Sequence, residues 1–205
     1  IAGLSLSLWV DASLAEVHTM TLAMTVGALL AALRYRQQGE RRHLLWLAAL
    51  LAQGAVHQRA VLFIAPAALV LIWGRWRPLW RNAPAIIAHG LGALATYLYL
   101  PVRAWTGATW TFHSPGTWQG FWGLLLDTKS ERIVHIPGSL AELASRFANT
   151  VGLLRQDLPL AVLVLGLLGL GLLARRGRGR EAASLATVIL AHLAVTMIIW
   201  EGRIS

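Results

Sequence analysis

The sequence predicts an all-α, polytopic transmembrane helix bundle with amphipathic helices in an external loop, and three observations carry that prediction. Apolar residues fill 57% of the 205 positions and charged residues only 13%, against roughly 45–50% and about 25% in soluble globular chains. A water-soluble domain has too little interior to hide that excess. The apolar residues are gathered into runs such as 158–174 and 183–200, close to the roughly 17–25 residues a helix needs to cross hydrocarbon. The arginines, finally, occupy alternate connections: Arg34, Arg36, Arg41 and Arg42; Arg75, Arg77 and Arg81; Arg175, Arg176, Arg178 and Arg180.

If successive runs alternate across a bilayer, these three connections share one side. That side carries eleven arginines against Glu40 and Glu181, whereas the other balances seven basic with seven acidic residues. The whole net charge of +9 is then a positive-inside signal, with anionic lipid headgroups as its counter-charge. Nucleic acid is not an expected partner, because no basic stretch is interleaved with a stacking platform. The chain has no cysteine, which excludes disulfides and thiolate metal sites, and it shows no secretory signal pattern.

The elements follow in order. Residues 1–10 are apolar but too short to span, and predict the end of a helix whose beginning lies upstream of Ile1. An external turn containing Asp11 and Glu16 leads into a helix over 17–33, which returns to the first arginine connection. Residues 44–74 are apolar apart from Gln53, His57, Gln58 and Arg59, and both flanks carry arginines, so the chain must go out and come back. Two helices, 44–56 and 60–74, have about 15 residues each, or about 22 Å at 1.5 Å per residue, short of the roughly 30 Å hydrocarbon core. The polar turn around His57 is therefore expected below the outer surface, inside a cavity.

A helix over 84–100 runs outward and ends at Pro101. Residues 101–157 form the external loop. Within it Trp118, Phe121, Trp122, Leu125 and Leu126 recur at the spacing of one helical face, as in helices that lie in the interface plane. A second external helix starts at Ser139, where Ser139 and Glu142 have capping-box spacing, and Leu143, Phe147, Val151 and Leu154 supply its apolar stripe. Helices over 158–174 and 183–200 close the chain, joined by the RRGRGR turn at 175–180. The whole is one transmembrane domain.

Few residues can carry chemistry. Asp11 and Glu16 are carboxylates at an external helix end, and a carboxylate at membrane depth costs about 2.5–3.5 kcal/mol on insertion scales, so its presence points to function. A solvated external turn, or a capping role for Asp11, is the competing reading. His57 and Arg59 offer an imidazole and a guanidinium to an anionic headgroup or phosphate, against a hydrated interfacial turn. Tyr97, Tyr99, Pro101 and Arg103 form YLYLPVR, which aims Arg103 at a phosphate unless the arginine snorkels beside an aromatic belt. His18, His57, His89, His113, His135 and His192 make no zinc-binding spacing. A divalent cation held by oxygen ligands such as Glu16 is compatible with the residues, and no other cofactor is indicated. Walker A, dinucleotide and G-x-S-x-G signatures are absent from the sequence; Gly166, Gly169 and Gly171 suit close helix packing.

At these residues the sequence resembles the bacterial DUF2723 membrane proteins, relatives of the transmembrane protein 260 type of protein O-mannosyltransferase within the GT-C glycosyltransferases. Three stretches carry the likeness in the family's order: Trp9 with Ala15, Glu16 and Val17; Gly54 with His57 and Arg59; and YLYLPVRA from Tyr97 to Ala104. A fourth, WTFHSPGTWQGF from Trp110 to Phe121, resembles the family's aromatic and proline region with two extra residues. His18 replaces the family's tyrosine, so a role for that hydroxyl does not transfer.

The resemblance implies a GT-C-like bundle in a bacterial plasma membrane. It implies transfer of a sugar from a polyprenyl-phosphate carrier to an acceptor protein or glycan at the external face. The family's acidic residue in its first external loop would precede Ile1, leaving Glu16 and Asp11 as the catalytic candidates in this chain. Arg103, Arg59 and His57 would bind the donor phosphate, and His18, Tyr97, Tyr99 and Trp110 would line the substrate. The rival is a transporter or flippase for a lipid-linked or anionic solute, since polar groups at membrane depth mark translocation paths equally well; an inverted repeat would favour it, and none is detectable. A purely structural subunit would leave Glu16, His57 and Arg103 unexplained.

Overall fold

Every regular element among the described residues is helical. The computed structural model describes residues 17–107, 114–126, 137–195 and 197. Helix α1 (Val17–Gln38) is followed by α2 (Arg41–His57), a 3-10 segment (Arg59–Ile64) and α3 (Ala65–Ile72). A short α4 (Trp76–Arg81) leads into α5 (Ala83–Ala95), a 3-10 turn (Thr96–Leu98) and α6 (Tyr99–Trp105). Then come α7 (Trp118–Leu126), α8 (Leu140–Asp157), α9 (Leu160–Arg175) and α10 (Gly179–Ala194).

The centre is built from small residues. Ala28, Ala32 and Ala67 are fully buried, and Val61, Ile64, Leu44 and Tyr35 fill the space between α1, α2 and the 59–72 segment. α10 packs on α3, where the buried Ser184 hydroxyl donates to Ala67 O at 2.9 Å. α5 packs on α2, and α9 on α10. Such close backbone approach depends on Gly54: a Cβ there would lie 2.6 Å from Val61 Cγ1. Gly54→Val is therefore expected to destabilise the protein by about 1–3 kcal/mol through overpacking, read as a lower unfolding midpoint in detergent; an unchanged midpoint would refute the close fit.

The out-and-back path of residues 41–72 is closed at both ends. At the far end α2 stops at His57 because Gln58 turns extended (φ −152°, ψ 119°), its N–H capping Gly54 O. At the near end Gly39 takes a left-handed φ of +71°, and a side chain there would meet Arg75 at 2.9 Å. The three arginine connections consequently share one end of the bundle. Arg36 pairs with Glu181 at 2.7 Å, Arg75 Nη2 donates to Arg36 O at 3.0 Å, and Arg180 Nη1 donates to Trp73 O at 3.2 Å.

Glu181 joins these connections electrostatically. Burial alone would push its carboxyl up, but hydrogen bonding from Arg36 and from the backbone, the Arg36 charge and the Arg178 contact together hold it below the ordinary carboxylate value. A depressed carboxylate contributes stability that is complete above its unfolded value, about 4.3, and is lost as pH falls through the folded one. The unfolding midpoint is thus expected to drop below about pH 4, and Glu181→Gln to flatten that drop while costing about 1–3 kcal/mol at neutral pH. Identical acid profiles for the two proteins would refute the assignment.

One stretch among the described residues, Ala83–Trp105, is long and apolar enough to cross a membrane by length and composition, with 23 residues and a mean hydropathy of 1.5. Seven helices were expected, of which the first, 1–10, was too short to span and lies outside the described residues. α2, α9 and α10 have 17, 16 and 16 residues, about 24–26 Å each, and α1 mixes its apolar residues with Thr and Arg. α8 and α9 qualify only as a pair bent by 105°. Pro159 causes the bend, since it forces Leu158 into an extended conformation (φ −121°, ψ 127°) and ends α8. Ser139 caps α8 as expected, its Oγ accepting from Glu142 N at 3.1 Å, but the Glu142 carboxylate accepts from Gly138 N at 2.9 Å, one residue before the cap, so the reciprocal half of the box is displaced.

Candidate functional site

Thr21 and Arg36 lie fifteen residues apart on α1, so about 22 Å separates the end marked by Arg36 from the end marked by Thr21. At the Thr21 end five separate stretches of chain meet. Thr21 Oγ1 donates to Gln58 Oε1 at 2.5 Å, tying α1 to the turn after α2. Tyr97 OH donates to Val56 O at 2.9 Å, bringing in the 3-10 turn between α5 and α6. Arg59 Nη2 donates to Leu125 O, which draws the C-terminal half of α7 over the same turn. Phe63 stacks edge-on against His192 of α10, with ring centroids 6.2 Å apart.

Each of these placements has a local cause. The α2 helix ends between His57 and Arg59, so three consecutive polar side chains are presented where the chain reverses. Tyr97 is half-buried and spends its hydroxyl on a carbonyl left over at the end of α2, as helix C-termini require. α7 is started by Thr117, whose Oγ1 accepts from Gly120 N at 3.1 Å. It is held over the bundle by the preceding loop, where Trp105 Nε1 donates to Gly116 O at 2.9 Å.

Of the candidate residues, His57, Arg59 and Tyr97 are thus brought to one place. Arg59 is exposed, and among the described residues its Nε and Nη1 make no hydrogen bond, leaving part of its five-donor fork for a ligand. Tyr99 and Arg103 lie further along the same continuous helix. Arg103 is exposed, twenty residues beyond Ala83 and so about 30 Å from the arginine end, and its guanidinium pairs with nothing among the described residues. Tyr99 is 64% exposed and makes no hydrogen bond there. His18 falls in the first turn of α1. Asp11, Glu16 and Trp110 lie outside the described residues.

Thr21 was not singled out in the sequence, and Gln58 was read only as a polar residue of the turn. Thr21 had a signal: it follows His18 by three residues in the sequence, the spacing of neighbours on a helix. His192 had none, since only the packing of α10 against the 59–64 segment brings it to Phe63. Among the described residues no three His, Asp or Glu side chains gather as metal ligands.

The arrangement can bind an anion. It offers the unbonded part of the Arg59 guanidinium beside His57, with a second guanidinium, Arg103, further along the helix that carries Tyr97, whose own hydroxyl is committed to Val56 O. Comparison with protein-family models, with curated proteins and with solved structures returns no match.

Proposed function

We propose that this chain is a polytopic membrane glycosyltransferase of the GT-C kind, transferring a sugar from a polyprenyl-phosphate-linked donor to an acceptor protein or glycan at the external face. The observation that carries this reading is the gathering of His57, Arg59 and Tyr97 beneath α7, at the end of the bundle opposite the three arginine connections.

Membrane placement is supported by the surface. Ile87, Leu91, Leu94, Leu98 and Val102 are all at least half exposed along one face of the Ala83–Trp105 helix, and Leu160, Leu165, Leu167, Leu168 and Leu172 are similarly bare on α9. Contiguous apolar surface of that extent is rare on soluble monomers, and hydrocarbon covers it at no cost. The arginines at one end and the neutral balance at the other fit a bilayer with the arginine end inside. Helices shorter than the hydrocarbon core then hold the His57–Arg59 turn beneath the outer surface, and local thinning or tilt accommodates the mismatch.

The chemistry follows from the groups at that end. Arg59 and Arg103 stabilise the charge that develops on the carrier phosphate as the sugar departs. Glu16, the residue before Val17 in the sequence, deprotonates the acceptor hydroxyl. α7, with Trp118 three-quarters exposed and stacked edge-on to Trp122, grips the lipid–water boundary above the turn, as suits a donor with a long apolar tail.

The test is reconstitution of the protein in vesicles with a labelled polyprenyl-phosphate sugar and a hydroxyl acceptor. Label is expected on the acceptor. Movement of the labelled lipid between leaflets with no transfer would identify a flippase and overturn the reading.

A further inference from the structure

The arginine end carries a feature that sugar transfer at the opposite end does not use. An open depression of about 450 Å³ lies between the first residue of α2 and the junction of α4 with α5, lined by Arg41, Pro78, Arg81 and Asn82. Its neighbours are committed elsewhere. Arg42 is paired with Glu40 at 2.5 Å, Arg36 with Glu181, and Arg75 with Arg36 O and the Tyr35 ring. The guanidinium groups of Arg41 and Arg81 have no ion pair or hydrogen bond among the described residues. Asn82 spends its Nδ2 on Pro78 O at 2.8 Å, which leaves the side chain fixed at the rim.

Two unpaired cations facing one cavity repel each other, and an anion between them removes that cost. The short helix that supplies Pro78 and Arg81 also carries Trp76 and Trp80, and Trp80 is 77% exposed. Indole rings of this kind settle at the headgroup level of a bilayer, apolar body inward and N–H toward water. A guanidinium pair beside an interfacial tryptophan matches a phosphate that is attached to an acyl chain better than one that is free in solution.

We infer that the Arg41–Arg81 depression binds the headgroup phosphate of an anionic glycerophospholipid in the leaflet at the arginine end, with Trp80 packed beside its glycerol and upper acyl region. The inference rests on the membrane placement proposed above and is independent of sugar transfer.

The protein would be reconstituted in nanodiscs of phosphatidylcholine with and without phosphatidylglycerol, and retained lipid counted by native mass spectrometry after delipidation. Preferential retention of phosphatidylglycerol is expected, reduced roughly tenfold or more in Arg41→Gln/Arg81→Gln, since each basic residue near a charged leaflet contributes about 1 kcal/mol. Arg175→Gln/Arg176→Gln, which removes equal charge from the same end without touching the depression, is expected to retain the preference. Equal loss in both double variants would reduce the effect to bulk charge and overturn the site. Equal retention of the two lipids would overturn it as well, and displacement of the lipid by inorganic phosphate alone would assign a soluble anion instead. A protein extracted from membranes by carbonate would refute the membrane placement itself, a separate outcome from any of these.

Discussion

Glu16→Gln is expected to lower sugar transfer by about 10²–10⁴ while leaving donor binding intact, the range lost when a positioned general base is removed. The substitution keeps the shape and the hydrogen-bonding oxygen and deletes only the charge, so a loss of this size reports proton abstraction from the acceptor hydroxyl. Glu16 is five residues before Thr21, which is bonded to Gln58, and so is the acid nearest in sequence to the polar end. Asp11→Asn, made in parallel, separates the two carboxylates. If Glu16→Gln turns over at the parent rate, the carboxylate has no part in the reaction.

The second large effect is expected from Arg103→Ala, a fall of about 10²–10³ in kcat, comparable to the loss of one preorganised donor to a developing anion. Arg103→Lys should recover only part of it, because a point charge replaces a planar fork able to meet two phosphate oxygens together. A fall confined to KM would show that Arg103 only captures the carrier. Equal rates for all three proteins would remove it from the mechanism and leave Arg59 as the phosphate group.

Much of the fold was legible in the sequence. Hydrophobic runs punctuated by arginine turns gave the helical class and the shared end of residues 34–42, 75–81 and 175–180. The S-x-x-E spacing gave the start of α8, because a cap is a local hydrogen bond between near neighbours. Polar residues isolated at 57–59 gave a site for reversal. Contacts between distant stretches were not legible: the bond from Arg59 to Leu125 spans 66 residues, and that from Ser184 to Ala67 spans 117. No periodicity within α7 or α10 encodes which carbonyl an incoming side chain will find. Thr21 illustrates the same limit, since a threonine on an apolar helix face has ordinary ways to satisfy itself, and only the fold selects Gln58 as its partner.

The 3-10 winding of Arg59–Ile64 has a mechanical corollary. At about 2.0 Å rise per residue instead of 1.5 Å, six residues stretch about 3 Å further than the same segment coiled as an α-helix. That extra reach is what lets a helix anchored at Ala67 by Ser184 lift Arg59 as far as the Leu125 carbonyl. Relaxation of the segment to α would retract the guanidinium by more than the length of a covalent bond, breaking its tether to α7 while the anchor below held firm.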